Sequence, residues 1–361
     1  MQYERHPSPE HVAPPSTPPG LKTLFRRPDT IGYPLYCVCP VINASRFRSR
    51  WKLFEDFRRH VAISGSILVT VEVAFGDRAF VVTSPDNAYD LQLRSFHELW
   101  LKERAINLGV AHLTKLHPDW RAVAWLDGDF EFARPDWANE TLHVLQHYAC
   151  AQLWSVLVNL TSDFEIKSTL VSFMAMQEKK TRDEITDEQT HAKHCDYDYD
   201  DGGDKQQHGS PGLAWAMRRE MWDQLPGGII DFTILGAGDQ YFASCLVGEI
   251  DEMIKSRNDL SGPFMERIRK YYEHLLRTRW EERCLVKNIG LMKGAVMHFF
   301  HGHRINRGYR TRGEILMRHE FDPDRDLKAD ASGLYQLTDR SPALRKELQM
   351  YFAARLEDDP S

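Results

Sequence analysis

The chain has 361 residues, of which 42% are hydrophobic and 27% charged, a composition typical of globular proteins and unlike that of fibrous or wholly disordered chains. Its formal net charge is −6, but residues 182–204 hold nine acids and two bases and alone carry −7, so the remainder is close to neutral. A chain that is nearly neutral outside one acidic segment neither requires nor excludes a polyanionic partner. No apolar stretch approaches the roughly 20 residues that span a bilayer, and no signal-peptide pattern is present. We therefore expect a cytoplasmic protein without a membrane partner.

Strand and helix patterns alternate through the first half of the chain. Apolar and β-branched runs predict four strands, at residues 35–42, 67–73, 79–82 and 122–126. Helical periodicity predicts helices at residues 49–61 and 91–108. This alternation favours an α/β fold with a mainly parallel sheet flanked by helices. In such sheets, ligands bind beyond the carboxyl ends of the strands.

The remaining segments complete a predicted domain plan. Proline and polar residues predict a disordered tail over residues 1–30, before a main domain over residues 31–320. Within that domain, the acidic residues predict a mobile loop at 180–208, and charged helical periodicity predicts a helical insertion at 251–285. A helical tail is expected over residues 321–361.

The motif Asp127-Gly128-Asp129 directly follows the predicted strand at 122–126. Two carboxylates at the exit of a strand can reach one divalent cation, and oxygen ligands suit Mg²⁺ or Mn²⁺. A polar turn that merely closes the strand explains the motif equally well.

Asp239 stands at the start of a predicted helix over residues 239–246, in the run Leu235-Gly-Ala-Gly-Asp-Gln240. A carboxylate at such a helix start is open to a ligand hydroxyl. The motif alone favours a simpler role, in which Asp239 caps the helix. The two roles are compatible.

A histidine- and arginine-rich run extends from His298 through His301 and His303 to Arg312. A histidine can complete a metal shell begun by the aspartates, and arginines can hold phosphate oxygens. A solvated basic loop is the alternative. Because a spacing of three residues does not place His298 and His301 on one strand face, we expect only one of them to be a ligand, preferably His301.

In their order along the chain, these motifs resemble glycosyltransferases of the GT-A fold, especially the galactosyltransferase-like branch. Five segments carry the resemblance, namely Cys39-Pro40-Val41-Ile42-Asn43, Arg104-Ala-Ile-Asn107-Leu-Gly109, Asp127-Gly128-Asp129, Gly209–Arg219 with Leu235–Asp239, and His298-Phe-Phe-His301. Together they span residues 33 to 312, although Ala237 stands where the branch usually has an acid. The run from His301 to Tyr309 also resembles bacteriophage glycosyltransferases.

The resemblance implies a Rossmann-like sheet and a transferase that uses Mn²⁺ (or Mg²⁺). The enzyme would move a sugar from a nucleoside diphosphate donor, UDP first among them, to an acceptor hydroxyl. It implies Asp127, Asp129 and His301 as metal ligands and Asp239 as the catalytic base, with inversion at the anomeric carbon. The implied donor-binding residues are Pro40, Ile42, Asn43, Arg104, Asn107, Gly128, Arg304 and Arg307. The implied sugar or acceptor contacts are Trp215, Gly238 and Gln240, of which Trp215 fits a core position equally well.

Three other functions stay open on the sequence. A phage-type transferase, working in the host cytoplasm, would act on hydroxymethylated pyrimidine bases in DNA instead of a glycan or small hydroxyl acceptor, and would extrude the base from the duplex. A non-catalytic nucleotide-sugar or glycan-binding module would bind without turnover. A metal-dependent nucleotidyltransferase or phosphohydrolase would share the acidic pair and pass no sugar to an acceptor.

Overall fold

A computed structural model describes residues 32–185, 209–255, 260–309 and 311–358. The predicted tail over residues 1–30 and the stretch 186–208 of the predicted acidic loop lie outside the described residues. The described strands are β1 (Tyr36–Ile42), β2 (Ile67–Phe75), β3 (Asp90–Ser95), β4 (Ala122–Leu126), β5 (Phe130–Phe132), β6 (Cys150–Gln152), β7 (Val156–Leu160), β8 (Ile166–Val171), β9 (Ala214–Arg218), β10 (Arg279–Trp280), β11 (Arg283–Cys284), β12 (Ile289–Leu291), β13 (Ala295–His298), β14 (Leu327–Ala329) and β15 (Tyr335–Leu337). The described helices are α1 (Arg48–Ile63), α2 (Lys102–Leu116), α3 (Trp137–Val144), α4 (Phe173–Ile185), α5 (Arg219–Trp222), α6 (Gly238–Val247), α7 (Ile250–Lys255), α8 (Gly262–Leu275), α9 (Gly313–Arg318), α10 (Pro323–Asp326) and α11 (Pro342–Ala353).

Seven strands form the central sheet in the order β12-β6-β9-β4-β1-β2-β3. Neighbouring strands are parallel except β9, which is antiparallel to both β4 and β6. All five residues of β4 are buried, as expected for a strand covered on both faces. The prediction of an α/β fold with a mainly parallel sheet flanked by helices is confirmed.

Helices α1 and α2 pack on the half of the sheet that contains β1. Helix α1 buries Phe54 and Phe57. Helix α2 approaches the sheet closely at Gly109, where an added Cβ would lie 2.6 Å from Val38 and 2.7 Å from Val71. A larger residue at this position would push α2, and with it the residues at its first turn, away from the carboxyl ends of the strands.

The direction in which successive strands are added to the sheet reverses between β1 and β4, although the two strands are parallel. From β1 the chain proceeds through β2 to β3 at one edge, and then returns to place β4 on the other side of β1. Ligands of open α/β sheets bind outside the carboxyl ends of the strands at such a switch point. The loops after Ile42 and Leu126 form this crevice.

A second, four-stranded sheet has the order β5-β13-β7-β8. Strand β13 is antiparallel to β5 in a register that pairs His298 with Phe130. The amide of Phe299 also donates to the carbonyl of Asp129 over 3.0 Å. This pairing brings the histidine-rich run to the end of β4, although the two segments are far apart in sequence.

Two sequence-based assignments of secondary structure are wrong. Residues 79–82 form no strand, because the Glu72 carboxylate accepts hydrogen bonds from the amides of Val81, Val82 and Thr83 and folds this segment into a loop. The helix predicted over residues 91–108 is instead β3 followed by α2, which begins only at Lys102. A short apolar run fits both the two-residue repeat of a strand and the 3.6-residue repeat of a helix. The pattern alone therefore misplaced the start of the helix.

The charged region 251–285 contains α7, α8 and the hairpin of β10 and β11. After Phe321 come α10, the hairpin of β14 and β15, and α11, whose Leu344, Leu348 and Phe352 are buried in the main core. Within the described ranges, no helix combines the length and the apolar character needed to cross a membrane.

Candidate active site

Asp129, His298 and His301 converge at the end of β4, and we refer to them as the histidine cluster. Asp129 Oδ2 lies 3.0 Å from His301 Nε2, and Asp129 Oδ1 lies 3.9 Å from His298 Nε2. The two Nε2 atoms are 3.2 Å apart. Both histidines reach the cluster, because β13 ends at His298 and the chain then turns so that His301 returns to it. The expectation that only one of them is a metal ligand stays a prediction.

The histidine cluster has the composition and the geometry of a metal site. One ligand atom from each residue lies within 4.8 Å of the others. Asp129 Oδ1 is buried and has no hydrogen-bond partner within the described residues. Burial raises the pKa of Asp129, but His301, His298 and Arg50 outweigh this effect and hold the pKa well below its usual range. The carboxylate is therefore ionised and has one oxygen available to a cation.

Asn159 of β7 orients His298. Its Oδ1 lies 2.9 Å from His298 Nδ1, and its Nδ2 donates to Ser168 Oγ on β8 over 3.0 Å. In this arrangement the amide oxygen accepts from Nδ1–H, so the lone pair of the imidazole is on Nε2, which faces the cluster. Partners of this kind set the tautomer of metal-binding histidines.

Three arginines lie beside the histidine cluster. Arg307 Nη2 is 3.1 Å from both ring nitrogens of His301, and Arg50 pairs with the buried Glu357. Arg355 also pairs with Glu357, at 2.7 Å. The Nε atoms of Arg307 and Arg355 are buried and find no hydrogen-bond acceptor within the described residues. This concentration of guanidinium groups is suited to an anion such as a diphosphate.

A second group, which we call the lysine cluster, consists of Lys102, Glu103, Asp127 and Asp239. Lys102 Nζ lies 3.1 Å from Asp127 Oδ1 and 3.7 Å from Asp239 Oδ2. Burial would lower the pKa of Lys102, but Asp127 and Asp239 raise it above its usual range. Asp127 is thus engaged by a lysine ammonium and stands outside the histidine cluster, whereas the sequence suggested it as a metal ligand.

Asp239 does not cap α6. The N-cap residue is Ala237, in a left-handed conformation with φ 69°, and it makes no side-chain cap. Asp239 lies in the first turn, is partly exposed, and accepts from its neighbour's amide, Gln240 N, over 2.9 Å. Its other oxygen faces Lys102, so the carboxylate is held at the mouth of the crevice rather than used for capping.

Glu103 is buried beneath the start of α6. Its Oε1 has no partner within the described residues, and a Cβ on Gly238 would lie 2.7 Å from that atom. Burial raises the pKa of Glu103 to about 8, and Asp239 adds to the rise while Lys102 opposes it. The lysine cluster therefore has an excess of carboxyl groups, one of which is protonated at neutral pH.

Several predicted donor-binding residues serve the fold in this structure. Asn43 closes the loop after β1 by exchanging hydrogen bonds with the backbone of Phe47, at 2.8 and 2.9 Å. Arg104 and Asn107 both donate to Asp231, at 2.9 and 3.0 Å, in a network separate from the histidine cluster. Their side-chain donors are directed to this network and not to the crevice.

The other predicted contacts divide between core and crevice. Trp215 is 2% exposed and donates through Nε1 to the Pro211 carbonyl over 2.7 Å, so it is a core residue and offers no open face to a sugar. Gly238 is buried against Glu103, and Gln240 is half-buried on the first turn of α6. Gly128 lets β4 approach α1, because its Cβ would lie 3.2 Å from Phe54.

Pro40 and Ile42 belong to β1, where Pro40 is half-buried and Ile42 is buried. Arg304 opens a short 3₁₀ turn that ends at Arg307. Among the later arginines, Arg312 stacks on the Tyr309 ring at 4.7 Å and Arg318 pairs with Glu314 and Glu347. Arg312 and Arg318 thus make contacts within the chain.

The chain was compared with known families, curated proteins and solved structures. Neither the sequence patterns of known families nor the curated proteins match it. Among solved structures, a glycosyltransferase involved in the glycosylation of the major capsid of PBCV-1 is 6% identical, over 88% of this chain and 100% of that one, with a TM-score of 0.27. A mannose-1-phosphate geranyltransferase from Thermus thermophilus is 10% identical over 74% of each chain, with a TM-score of 0.29. A 4-diphosphocytidyl-2C-methyl-D-erythritol synthase from Anaerococcus prevotii is 10% identical over 73% of this chain and 90% of that one, with a TM-score of 0.27.

Sequence reasoning missed six residues of the two clusters and their surroundings. They are Arg50, Lys102, Glu103, Asn159, Arg355 and Glu357. Lys102 and Glu103 directly precede Arg104 and lie outside the motif that begins there. Asn159 and Glu357 are fixed by the tertiary structure, and no local pattern marks either of them.

Proposed function

We propose that the protein is a metal-dependent glycosyltransferase that moves a sugar from a nucleoside diphosphate sugar, UDP-sugar first among them, to an acceptor hydroxyl with inversion. The observation that carries the proposal is the histidine cluster beside Arg50 and Arg307 at the switch point of the sheet. A cation in this site would neutralise the charge of a diphosphate, and the guanidinium groups would donate hydrogen bonds to its oxygens. The motif order that resembles GT-A glycosyltransferases supports the same interpretation.

Asp129, His298 and His301 would hold the cation. Their donor set of one oxygen and two nitrogens favours Mn²⁺ over Mg²⁺, which prefers oxygen ligands and water. When bound, such a cation neutralises charge on a departing diphosphate. Asp127 would contribute indirectly, by holding Lys102 between itself and Asp239.

The chain's own groups would carry the rest of the chemistry. The guanidinium of Arg307, with its unsatisfied Nε, would donate to phosphate oxygens and stabilise the leaving group. Asp239 would accept the proton of the acceptor hydroxyl as that oxygen attacks the anomeric carbon. Lys102, whose Nζ lies 3.7 Å from Asp239 Oδ2, would hold that carboxylate at the mouth of the crevice.

A transfer assay tests the proposal. The full chain is incubated with Mn²⁺, a panel of UDP-sugars and hydroxyl acceptors that include glycans and hydroxymethylated DNA, and UDP release and product are measured. Wild type, Asp239→Asn and a matched control, Asp223→Asn, are compared. Asp223 is exposed and pairs only with Arg219 among the described contacts. We expect acceptor-dependent UDP release in wild type and control, and its loss in Asp239→Asn.

The alternatives give different results in the same assay. A nucleotidyltransferase or phosphohydrolase would cleave the donor without forming a glycosylated product. A binding module would retain the donor unchanged in wild type and in Asp239→Asn alike. Product formed only on hydroxymethylated DNA would identify the DNA-modifying alternative, with an affinity for DNA that falls steeply with salt. Donor cleavage or binding without transfer to any acceptor would contradict the proposal.

A further inference from the structure

A short segment after α11 lies against the histidine cluster. We call residues 354–358 the strap. Its Arg355 and Glu357 are 7% and 2% exposed, whereas Leu356 is 47% exposed. Charged side chains are rarely buried to this extent unless they are paired. The strap therefore delivers two buried charges to the neighbourhood of the candidate active site.

Both carboxylate oxygens of Glu357 contact arginine side chains. Arg50 binds the two oxygens together, with Nη2 donating to Oε1 over 2.9 Å and Nε donating to Oε2. Arg355 Nη2 forms an ion pair with Oε1 at 2.7 Å. Oε2 also lies 3.8 Å from His301 Nδ1, on the side of the imidazole opposite the Nε2 atom that faces Asp129. A carboxylate behind a metal-facing imidazole is a common arrangement around metal-binding histidines.

The strap is seated closely on the residue after His301. A Cβ at Gly302 would lie 2.6 Å from Glu357 Cα, and Gly302 has φ +88°, which favours glycine. The two backbones can approach only because this residue has no side chain. Glu357 is thus placed by a fitted backbone contact next to His301.

The strap also fixes the loop that follows β1. The Asp358 carboxylate accepts from the amides of Arg48 and Ser49, at 2.8 and 2.9 Å. It thereby caps α1, whose own N-cap residue, Phe47, makes no side-chain cap. Asp358 thus anchors the strap to the start of α1, whereas Arg50 on the same helix is bound by Glu357.

We propose that Glu357 is a positioning residue of the candidate active site, holding Arg50 and the imidazole of His301 in place for a divalent cation and a diphosphate. This inference rests on the proposed function. In the alternative, Glu357 occupies the place of the diphosphate and the strap leaves when the donor binds. The close backbone contact at Gly302 and the cap on α1 are not expected of a strap that leaves in this way.

The test is a Mn²⁺ titration of the full chain, followed by electron paramagnetic resonance, on wild type, Glu357→Gln and Asp358→Asn. The two substitutions are adjacent and equivalent in chemistry, but only Glu357 faces His301. We expect Glu357→Gln to weaken Mn²⁺ binding by about 10- to 100-fold. Asp358→Asn is expected to lower the Tm and leave Mn²⁺ affinity unchanged. Near-UV circular dichroism verifies the fold, and Glu357→Asp, which keeps the charge on a shorter side chain, replaces Glu357→Gln if that variant does not fold.

The outcomes separate this inference from the function on which it rests. Absence of Mn²⁺ binding in wild type would overturn both. Mn²⁺ binding of equal strength in wild type and Glu357→Gln would overturn the positioning role alone. Equal weakening in Asp358→Asn and Glu357→Gln would assign the effect to the strap as a whole and reject a specific role for Glu357. A higher affinity of Glu357→Gln for UDP would show that the strap competes with the donor, which also contradicts the proposal.

Discussion

Asp127 and Asp129 are separated by one glycine, yet they belong to opposite electrostatic environments. Asp127 contacts a lysine and adjoins two further carboxyl groups, and burial together with Asp129 and Asp239 raises its pKa despite the ammonium of Lys102. Asp129 contacts two histidines near Arg50, and these neighbours overcome burial and lower its pKa. The same residue type at the same strand end thus has two different sets of contacts.

The difference suggests a division of labour within one crevice. The histidine cluster suits a cation, and the arginines beside it suit an anion. A donor diphosphate with its bound metal would need both. The lysine cluster has an excess of carboxyl groups and suits acceptance of a proton. A sugar whose anomeric carbon lay between the two clusters would face a departing diphosphate on one side and an attacking hydroxyl on the other. The following substitutions test this division.

Removing the carboxylate of Asp239 is expected to have the largest effect. Asp239→Asn should lower kcat by about 10²- to 10⁴-fold, because a general base contributes that much. Donor and Mn²⁺ affinity should be unchanged, since Asp239 belongs to the lysine cluster. Steady-state kinetics with isothermal titration of donor check both parts. A fall in donor affinity that matched the fall in kcat would show that the two clusters are not functionally separate.

The two aspartates can be compared directly. Asp129→Asn should weaken Mn²⁺ binding by more than about 100-fold, because it alters a proposed ligand and not merely a supporting residue. Asp127→Asn should weaken it by about tenfold or less, since Asp127 acts through Lys102. Equal losses in a Mn²⁺ titration would mean that both aspartates bind the cation, as the sequence motif suggested.

The contact between Asn159 and His298 allows a subtler test. Asn159→Ala should weaken Mn²⁺ binding by about 10- to 100-fold, because it removes the acceptor that fixes the tautomer of His298. Ser168→Ala is the matched control, since it removes only the hydroxyl that faces the amide of Asn159. Unchanged Mn²⁺ affinity in Asn159→Ala would place His298 outside the metal shell.

Glu103 predicts a pH effect on stability. Its pKa is raised to about 8 in the folded state, so the folded chain keeps a proton that the unfolded chain releases at about pH 4.5. Its contribution to the free energy of unfolding is present below that lower pH and is lost as pH rises to about 8, by at most about 1.4 kcal/mol per unit.

Urea unfolding of wild type, Glu103→Gln and Glu220→Gln between pH 5 and 8 measures this effect. Glu220 is an exposed control that pairs with Arg218. The decline over this range should be shallower in Glu103→Gln than in the other two proteins. Parallel curves for all three would contradict a protonated Glu103 in the folded state.

The sequence predicted the parts of the fold that depend on local patterns. Strand β4 and helix α6 were located within a residue or two, because a fully apolar run and a glycine-framed helix start are strong local signals. Residues 79–82 were misassigned, because their backbone partner, the Glu72 carboxylate, belongs to another element. Long-range hydrogen bonds of this kind have no signature in the segment that they fold.

The contrast between local patterns and long-range contacts also holds at the candidate active site. Asp129 and His301 could be proposed from their motifs, and the structure brings them within 3.0 Å. The meeting of His298 with Asp129 depends on the pairing of β13 with β5, which the sequence did not reveal. Glu357 could not be found at all, since its burial arises from contacts with Arg50 and Gly302, both distant in sequence.

A thermal-shift titration with UDP, with and without Mn²⁺, on wild type and Asp129→Asn tests most directly whether the crevice is a metal-dependent donor site. At about 100 times its dissociation constant, a ligand stabilises the folded state by about 2.7 kcal/mol, which is readily measured. We predict that UDP raises the Tm of wild type strongly only when Mn²⁺ is present, and that Asp129→Asn loses this effect. If UDP, GDP and the other nucleoside diphosphates all leave the Tm of wild type unchanged with Mn²⁺ present, the crevice is not a donor site and the account is wrong.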